Sequence, residues 1–349
     1  MTPLDNEPKI VGMANSLRIS GPRLVEGIRQ FCHDRIKKLL RKYPGVSGIH
    51  ELRDVVCREL NLRVHEIWSD EDLGAVVHEY VHDGDPVFAI LPTDLAPDTT
   101  FGVLIQRSQR DTAGRPRWAA IVDCRGAKAL RRFFTLWHEI AHCLTAVDQY
   151  ELALQHRTSI RAAPKDPVEK ITDMVAGDIA FFPALFSPVL DREIKETGRL
   201  TFDGIDRVRD HYCSDASLHS ALIACLNHCS VPTIWIHAEL GYKKSEIQAM
   251  QSLQGELLPT AAPKPVLRVT DSNRNDAVRD LELLIPVKMR VPESSVISKA
   301  FQEGGVWVAQ ENFGSWESQG RALPSFPIHV EASSGPSGVT ALITALTRL

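Results

Sequence analysis

"RRFFTLWHEIAHCLTA", residues 131–146, has apolar residues on nearly every side (Phe133, Phe134, Leu136, Trp137, Ile140, Ala141, Leu144), the pattern of a buried helix. Inside it lies the pentad His138-Glu139-Ile140-Ala141-His142. Two histidines four apart on a helix stand one turn above each other, about 6 Å apart, so both imidazoles reach one ion. A second such pentad, His78-Glu79-Tyr80-Val81-His82, sits in "VVHEYVHDGDPVFAI", residues 76–90. It follows "GAVV" and precedes the turn "DGDP" and another apolar run, so the pattern predicts one arm of a hairpin. On a strand the two histidines would stand roughly 13 Å apart, too far for one ion. Spacing therefore assigns metal binding to His138 and His142 and makes the first pentad a decoy; the motif alone is a weak signal.

A third ligand strengthens it. In "DPVEKITDMVAGDIAFFPALF", 166–186, Pro167 marks a helix start, and Glu169, Asp173, Ala176 and Ala180 share one stripe while Ile171, Val175, Ile179 and Phe182 face elsewhere. Two carboxylates followed by two alanines make a face able to lie close against another helix. Against the His138 helix, Glu169 completes a His₂Glu zinc set with an open fourth position, and Asp173 accepts an imidazole N–H. Read locally, Glu169 is equally an N-terminal charge favoured by the helix dipole and Asp173 a solvated residue.

"FFTLWHEIAHCL" and the later "ExxxDxVAGxxxxxP" (Glu169, Asp173, Val175, Ala176, Gly177, Pro183) resemble the ImmA/IrrE family of zinc metallopeptidases over roughly residues 50–190. The chain departs from that pattern at Phe133, where the family usually has Arg, at Trp137 for Ala and at Ala141 for Gly, and its proline comes one position late. The resemblance implies a zincin-like peptidase domain with one catalytic Zn²⁺ on His138, His142 and Glu169, Glu139 as general base, and Asp173 behind the ligands. It further implies an endopeptidase that cuts a helix-turn-helix repressor and releases stress, DNA-damage, mobile-element or defence genes. Some relatives carry a DNA-binding-like segment and a sensor-like domain after the peptidase, so DNA or a small-molecule signal is an expected partner of the C-terminal region. Two other classes stay open: a DNA-binding regulator with a vestigial metal site, and a ligand-sensing regulator built on the C-terminal residues.

Composition bounds these readings. The chain has 349 residues, 44% hydrophobic and 24% charged, with a net charge of −4, an ordinary globular make-up that argues against coating nucleic acid or a membrane surface. The N-terminus lacks a signal-peptide layout and no apolar run reaches spanning length, which places the protein in the cytoplasm without a membrane partner. Seven scattered cysteines suit a reducing compartment.

The organisation expected is α+β: a flexible start at 1–20, the zincin-like domain at 21–190 with a small sheet and active-site helices, and a helical, helix-turn-helix-like segment at 191–253. A proline-rich linker follows at 254–265, then a C-terminal α+β sensor domain at 266–349, of GAF-like form as one option. "LRVHEI", "AVVHEYVH", "VFAIL", "FGVLIQ" and "WAAIVDC" read as strands, the last with an open edge for substrate. Residues 201–226 read helix, turn at Cys213-Ser214, helix capped by Ser214 or Asp215; a plain helical hairpin fits equally. Cys124, ending a strand before the pentad helix, is a candidate inhibitory thiol for the zinc. Cys225, His228 and Cys229, with Cys213 or His211, are weighed as a structural zinc site against buried helix cysteines. Tyr212, His211 and His219 are candidates for stabilising an oxyanion.

Overall fold

Apolar residues recur at helical spacing at Ile10, Met13 and Leu17, and in the computed structural model the segment Pro8–Ser16 is helix α1 with Ile10, Met13 and Ala14 buried. The expected flexible start at 1–20 is thus structured, and Asp5 accepts the Val25 N–H at 3.0 Å. The structure describes residues 2–107, 116–145, 153–157, 166–243, 246–248, 264–281, 283–318 and 321–346. The chain is mixed α+β and divides into two units, Met1–Ser187 with Arg209–Ser220, and Pro188–Val208 with Ala221–Leu349.

In the first unit α1 is followed by α2 (Leu24–Lys42), α3 (Ile49–Glu59), β1 (Leu62–Ile67), α4 (Asp70–His82), α5 (Leu91–Asp94), β2 (Thr100–Gln106), β3 (Trp118–Asp123), α6 (Arg132–Thr145), β4 (Ala153–Arg157) and α7 (Pro167–Ala180). The strands form a sheet in the order β1-β3-β2-β4, with β1 parallel to β3 and the other pairs antiparallel. This corrects the expected open edge on "WAAIVDC": β3 lies between β1 and β2, so both its edges are filled. Among the described residues the sheet ends at β1 and β4.

The first pentad is also corrected. His78 and His82 lie on helix α4, not on a strand, and "VFAI" is a short 3₁₀ turn, Pro86–Ile90, running into α5. The local chemistry explains it. Ser69 accepts from the Asp72 N–H and the Asp72 carboxylate from the Ser69 N–H, a reciprocal cap, and Asp70, Glu71 and Asp72 favour the positive end of the helix. Leu73, Val76 and Tyr80 then fall on one buried face.

Helices α8 (Pro183–Thr197), α9 (Phe202–Cys213) and α10 (Leu218–His228) follow, and the boundary between the units passes through them. The cap of α10 is Ser217, whose hydroxyl accepts from the Ser220 N–H at 3.1 Å, rather than Ser214 or Asp215. Among the described residues no single helix is long and apolar enough to cross a membrane; α7 and α8 reach that length and composition only jointly, across a 63° bend.

The second unit holds an antiparallel sheet in the order β6-β5-β11-β10-β7, formed by β5 (Thr233–Gly241), β6 (Val266–Arg274), β7 (Val306–Asn312), β10 (Pro327–Gly335) and β11 (Gly338–Ala345), with a separate two-stranded pair β8 (Glu317–Ser318) and β9 (Arg321–Ala322). Its core includes Ile234, Ile236, Val269, Ile297, Phe313, Trp316, Val330 and Ile343. The expected boundary at 254–265 does not separate folding units. The strand that "TIWIH" (233–237) predicts is observed as β5; it lies before that stretch yet pairs with β6 and β11 after it, so the C-terminal domain begins earlier than residue 266. Most of the stretch, 254–263, lies outside the described residues. The helix Val296–Glu303 is capped by Ser295, which accepts from the Ile297 N–H.

Candidate metal centre

Helix α6 follows a 3₁₀ turn, Gly126–Arg131, and is buried along almost its whole length, from Thr135 through Thr145 without a break. Its last turn is closed by polar contacts: the Thr145 hydroxyl donates to Ala141 O at 2.9 Å, and Arg35 Nη1 donates to Leu144 O at 3.0 Å. Helix α7 opens on Asp166, whose carboxylate accepts from the Val168 N–H, with Pro167 as first helical residue. Arg29 of α2 holds α7 through a two-pronged pair with Asp178, at 2.7 and 2.8 Å. The alanines Ala176 and Ala180 are fully buried in α7, and α6 and α7 pack together.

This packing brings three side chains to one point. His142 Nε2 is 3.0 Å from His138 Nε2, His138 Nε2 is 3.2 Å from Glu169 Oε2, and His142 Nε2 is 3.4 Å from Glu169 Oε1. Ligand atoms about 2.0–2.1 Å from a tetrahedral zinc stand about 3.3 Å from each other, so the three separations fit one such ion. His138 Nδ1 lies 2.9 Å from Asp173 Oδ1. An Nδ1–H donating there leaves the Nε2 lone pair for the ion. Thr172 Oγ1, 3.5 Å from His142 Nδ1, turns the second ring the same way; sequence reasoning did not single it out. His138, Glu139 and His142 are buried, while Glu169 and Asp173 are partly exposed and mark the solvent side.

Glu139 supplies a further test of fit. It is completely buried, and among the described residues neither carboxylate oxygen has a hydrogen-bond partner. A buried carboxylate left in that state is costly unless a cation or water stands beside it. Burial pushes it up to about 8, against the opposing pull of His138. Burial likewise drives His138 down, but the bonds to Asp173 and Glu169 outweigh it and hold the imidazole at about 9. His142 is lowered by burial. Glu169 feels burial in the opposite sense, yet the two histidines hold it well below the usual carboxylate range. Two imidazoles that bind as neutral donors and one anionic carboxylate form a donor set suited to a divalent ion.

The sheet contributes a residue that the sequence reading missed. Gly102 of β2 faces Glu139: a β-carbon there would lie 2.7 Å from Glu139 Oε1 and 2.7 Å from Thr135 Cγ2. The strand register also shifts between Thr100 and Gly102. A glycine inside an apolar strand signals such close approach, but local sequence does not say to what.

Other candidates fall elsewhere. The Cys124 thiol bonds the Val122 carbonyl at 3.7 Å and feels Glu66 and Arg132, the first residue of α6, while burial pushes it up to about 12. Cys124 belongs to no metal-capable group among the described residues. Cys225, His228 and Cys229 form no metal-capable group among the described residues; the Cys229 thiol bonds the Val231 carbonyl at 3.6 Å. Tyr212 donates its hydroxyl to Ala180 O at 3.0 Å and packs against Phe181 and Phe186, whereas His211 and His219 are exposed. No protein-family model matches the chain, and no curated protein matches it.

Proposed function

We propose that the protein is a zinc-dependent endopeptidase of zincin-like fold that cleaves a helix-turn-helix transcriptional repressor, in the manner of the ImmA/IrrE family its helices resemble. The observation that carries this reading is the convergence of His138, His142 and Glu169 beside a buried carboxylate, Glu139, that has no hydrogen-bond partner among the described residues. When bound by those three residues, zinc supplies Lewis acidity for activating water and polarising a carbonyl. Glu139 takes the proton of the attacking water and passes it to the leaving amine; a buried carboxylate held near neutrality is matched to both transfers. Asp173 and Thr172 hold the two imidazoles in the tautomers that turn the Nε2 lone pairs toward the ion. Gly102 leaves room for the Glu139 carboxylate against β2.

Substrate backbone is proposed to pair along β4. That strand takes the role expected of β3, because its outer edge is unpaired among the described residues and it neighbours β2, which carries Gly102. Extended backbone added to a sheet edge gains main-chain hydrogen bonds in any sequence, leaving selection to side-chain pockets. The second unit is proposed to sense the inducing signal, a small molecule or nucleic acid. The decisive experiment incubates the full chain with the helix-turn-helix protein encoded beside its gene, with zinc and with a chelator. A discrete cut that needs zinc supports the reading; an intact repressor under both conditions overturns it.

A further inference from the structure

A second set of metal-type donors lies in the first unit, away from the pentad. His50, in the first turn of α3, Cys213, the last residue of α9, and Asp215 in the turn after it offer ligand atoms that all lie within 4.8 Å of one another. His50 Nε2 is 3.9 Å from Cys213 Sγ. A tetrahedral ion with sulfur at about 2.3 Å and nitrogen at about 2.0–2.1 Å holds those two atoms about 3.6 Å apart, so this pair need close by only a few tenths of an ångström. His50 and Asp215 are exposed, so an ion reaches the group from solvent, and Cys213 is buried beneath them. Both exposed ligands also line a cavity with Glu66, Arg132 and Trp137.

Burial raises the Cys213 thiol, and Arg132 nearby opposes that rise. A divalent ion displaces the thiol proton when it binds. Asp215 also pairs with Arg132 Nη2 at 2.8 Å, and a carboxylate has acceptor sites for both a guanidinium and an ion. That pair ties the group to the first residue of α6.

We propose that His50, Cys213 and Asp215 form a second, solvent-accessible site for a thiophilic divalent ion such as Zn²⁺, with water completing the coordination. The donor set of one thiolate, one imidazole and one carboxylate selects zinc-like ions over magnesium or calcium, which take oxygen alone. This inference does not rest on the peptidase reading.

Cobalt separates the two sites, because the His138, His142 and Glu169 set contains no sulfur. Titrating the full chain with Co²⁺ should give a near-ultraviolet sulfur-to-cobalt charge-transfer band that zinc displaces. His50→Ala and Asp215→Asn, both at exposed positions that do not threaten the fold, should weaken the ion giving that band by at least about tenfold. Cys213→Ser should remove the band while leaving the weaker visible absorption of cobalt at the pentad site. A titration with no charge-transfer band overturns the proposal, as does a band of unchanged affinity in His50→Ala or one that survives Cys213→Ser.

Discussion

The two HExxH pentads have the same letters, the same secondary structure and different surroundings. On α4, His78 and His82 are exposed, their rings stacked with centroids 6.0 Å apart, and Glu79 pairs with Arg63 at 2.5 Å. On α6, His138 and His142 are buried with centroids 4.7 Å apart, and α7 brings Glu169 to both rings. Helical spacing is therefore necessary and insufficient. Any helix offers two imidazoles on one side; what distinguishes α6 is a neighbouring helix with a carboxylate at the right height. Among the described residues no metal-capable group of three includes His78 or His82.

The largest expected effect breaks that comparison outright. His138→Ala or His142→Ala should abolish zinc binding at the pentad site, read as metal stoichiometry by elemental analysis after competition with a mild chelator. His78→Ala and His82→Ala should leave the stoichiometry unchanged. Equal loss from both pairs would mean that burial and the third ligand do not decide the site.

Next in size is the middle residue of each pentad. Glu139→Gln should retain zinc and lower repressor cleavage by about 10²–10⁴-fold, the range for removal of a general base. Glu79→Gln, at a partly exposed surface pair, should leave cleavage unchanged. Wild-type cleavage by Glu139→Gln would remove the proposed chemistry while leaving the metal site standing.

Gly102→Ala tests whether the sheet positions that carboxylate. The added methyl meets Glu139 Oε1 and the branched Thr135, so the carboxylate must move. A misplacement near 1 Å costs about 10²-fold in rate. The expected result is that loss in turnover with zinc affinity within about twofold of wild type, because both imidazoles project from α6 and are held from α7, not from β2. Unchanged turnover in a folded Gly102→Ala protein would show that Glu139 does not depend on β2.

How much of this was legible follows from what each signal measures. Helices α6 and α7 and the stripe of Glu169 and Asp173 are local periodicities, and the structure places those side chains where the spacing put them. The strand reading of α4 failed because "AVVHEYVH" is a short, valine-rich run closed by the turn residues "DGDP", while its helix start signal, Ser69 followed by Asp72, lies just upstream. Strand order is not local at all. Nothing in "WAAIVDC" tells that β1 pairs beside it in parallel, and nothing in "FGVLIQ" tells that Gly102 meets Glu139. The domain boundary failed for the same reason: prolines at 254–265 mark a break in regular structure, not a break in the sheet. Truncation at residue 254 would remove β6 and β11, the strands on both sides of β5.

Asp173→Asn should weaken zinc by about 10–100-fold, as loss of a partner behind a ligand histidine does, without abolishing it. Its pH signature is the finer measurement. A ligand nitrogen must shed its proton to bind an ion, and Asp173 and Glu169 overcome burial to hold His138 at about 9 in the metal-free protein. His142 is lowered by burial and Glu169 is held low, so neither adds a proton to displace above neutrality. Glu139, at about 8, would add one, so the measurement is best made in Glu139→Gln. There, zinc affinity should rise by about tenfold per pH unit from neutrality and level off once His138 is neutral, below the wild-type value of about 9 because the Glu139 charge that helps raise His138 is gone. Adding Asp173→Asn removes the first group that raises His138, and the plateau should begin at lower pH. Affinity that is flat across this range, or a plateau that stays in place without the Asp173 carboxylate, would show that Asp173 does not govern the His138 proton.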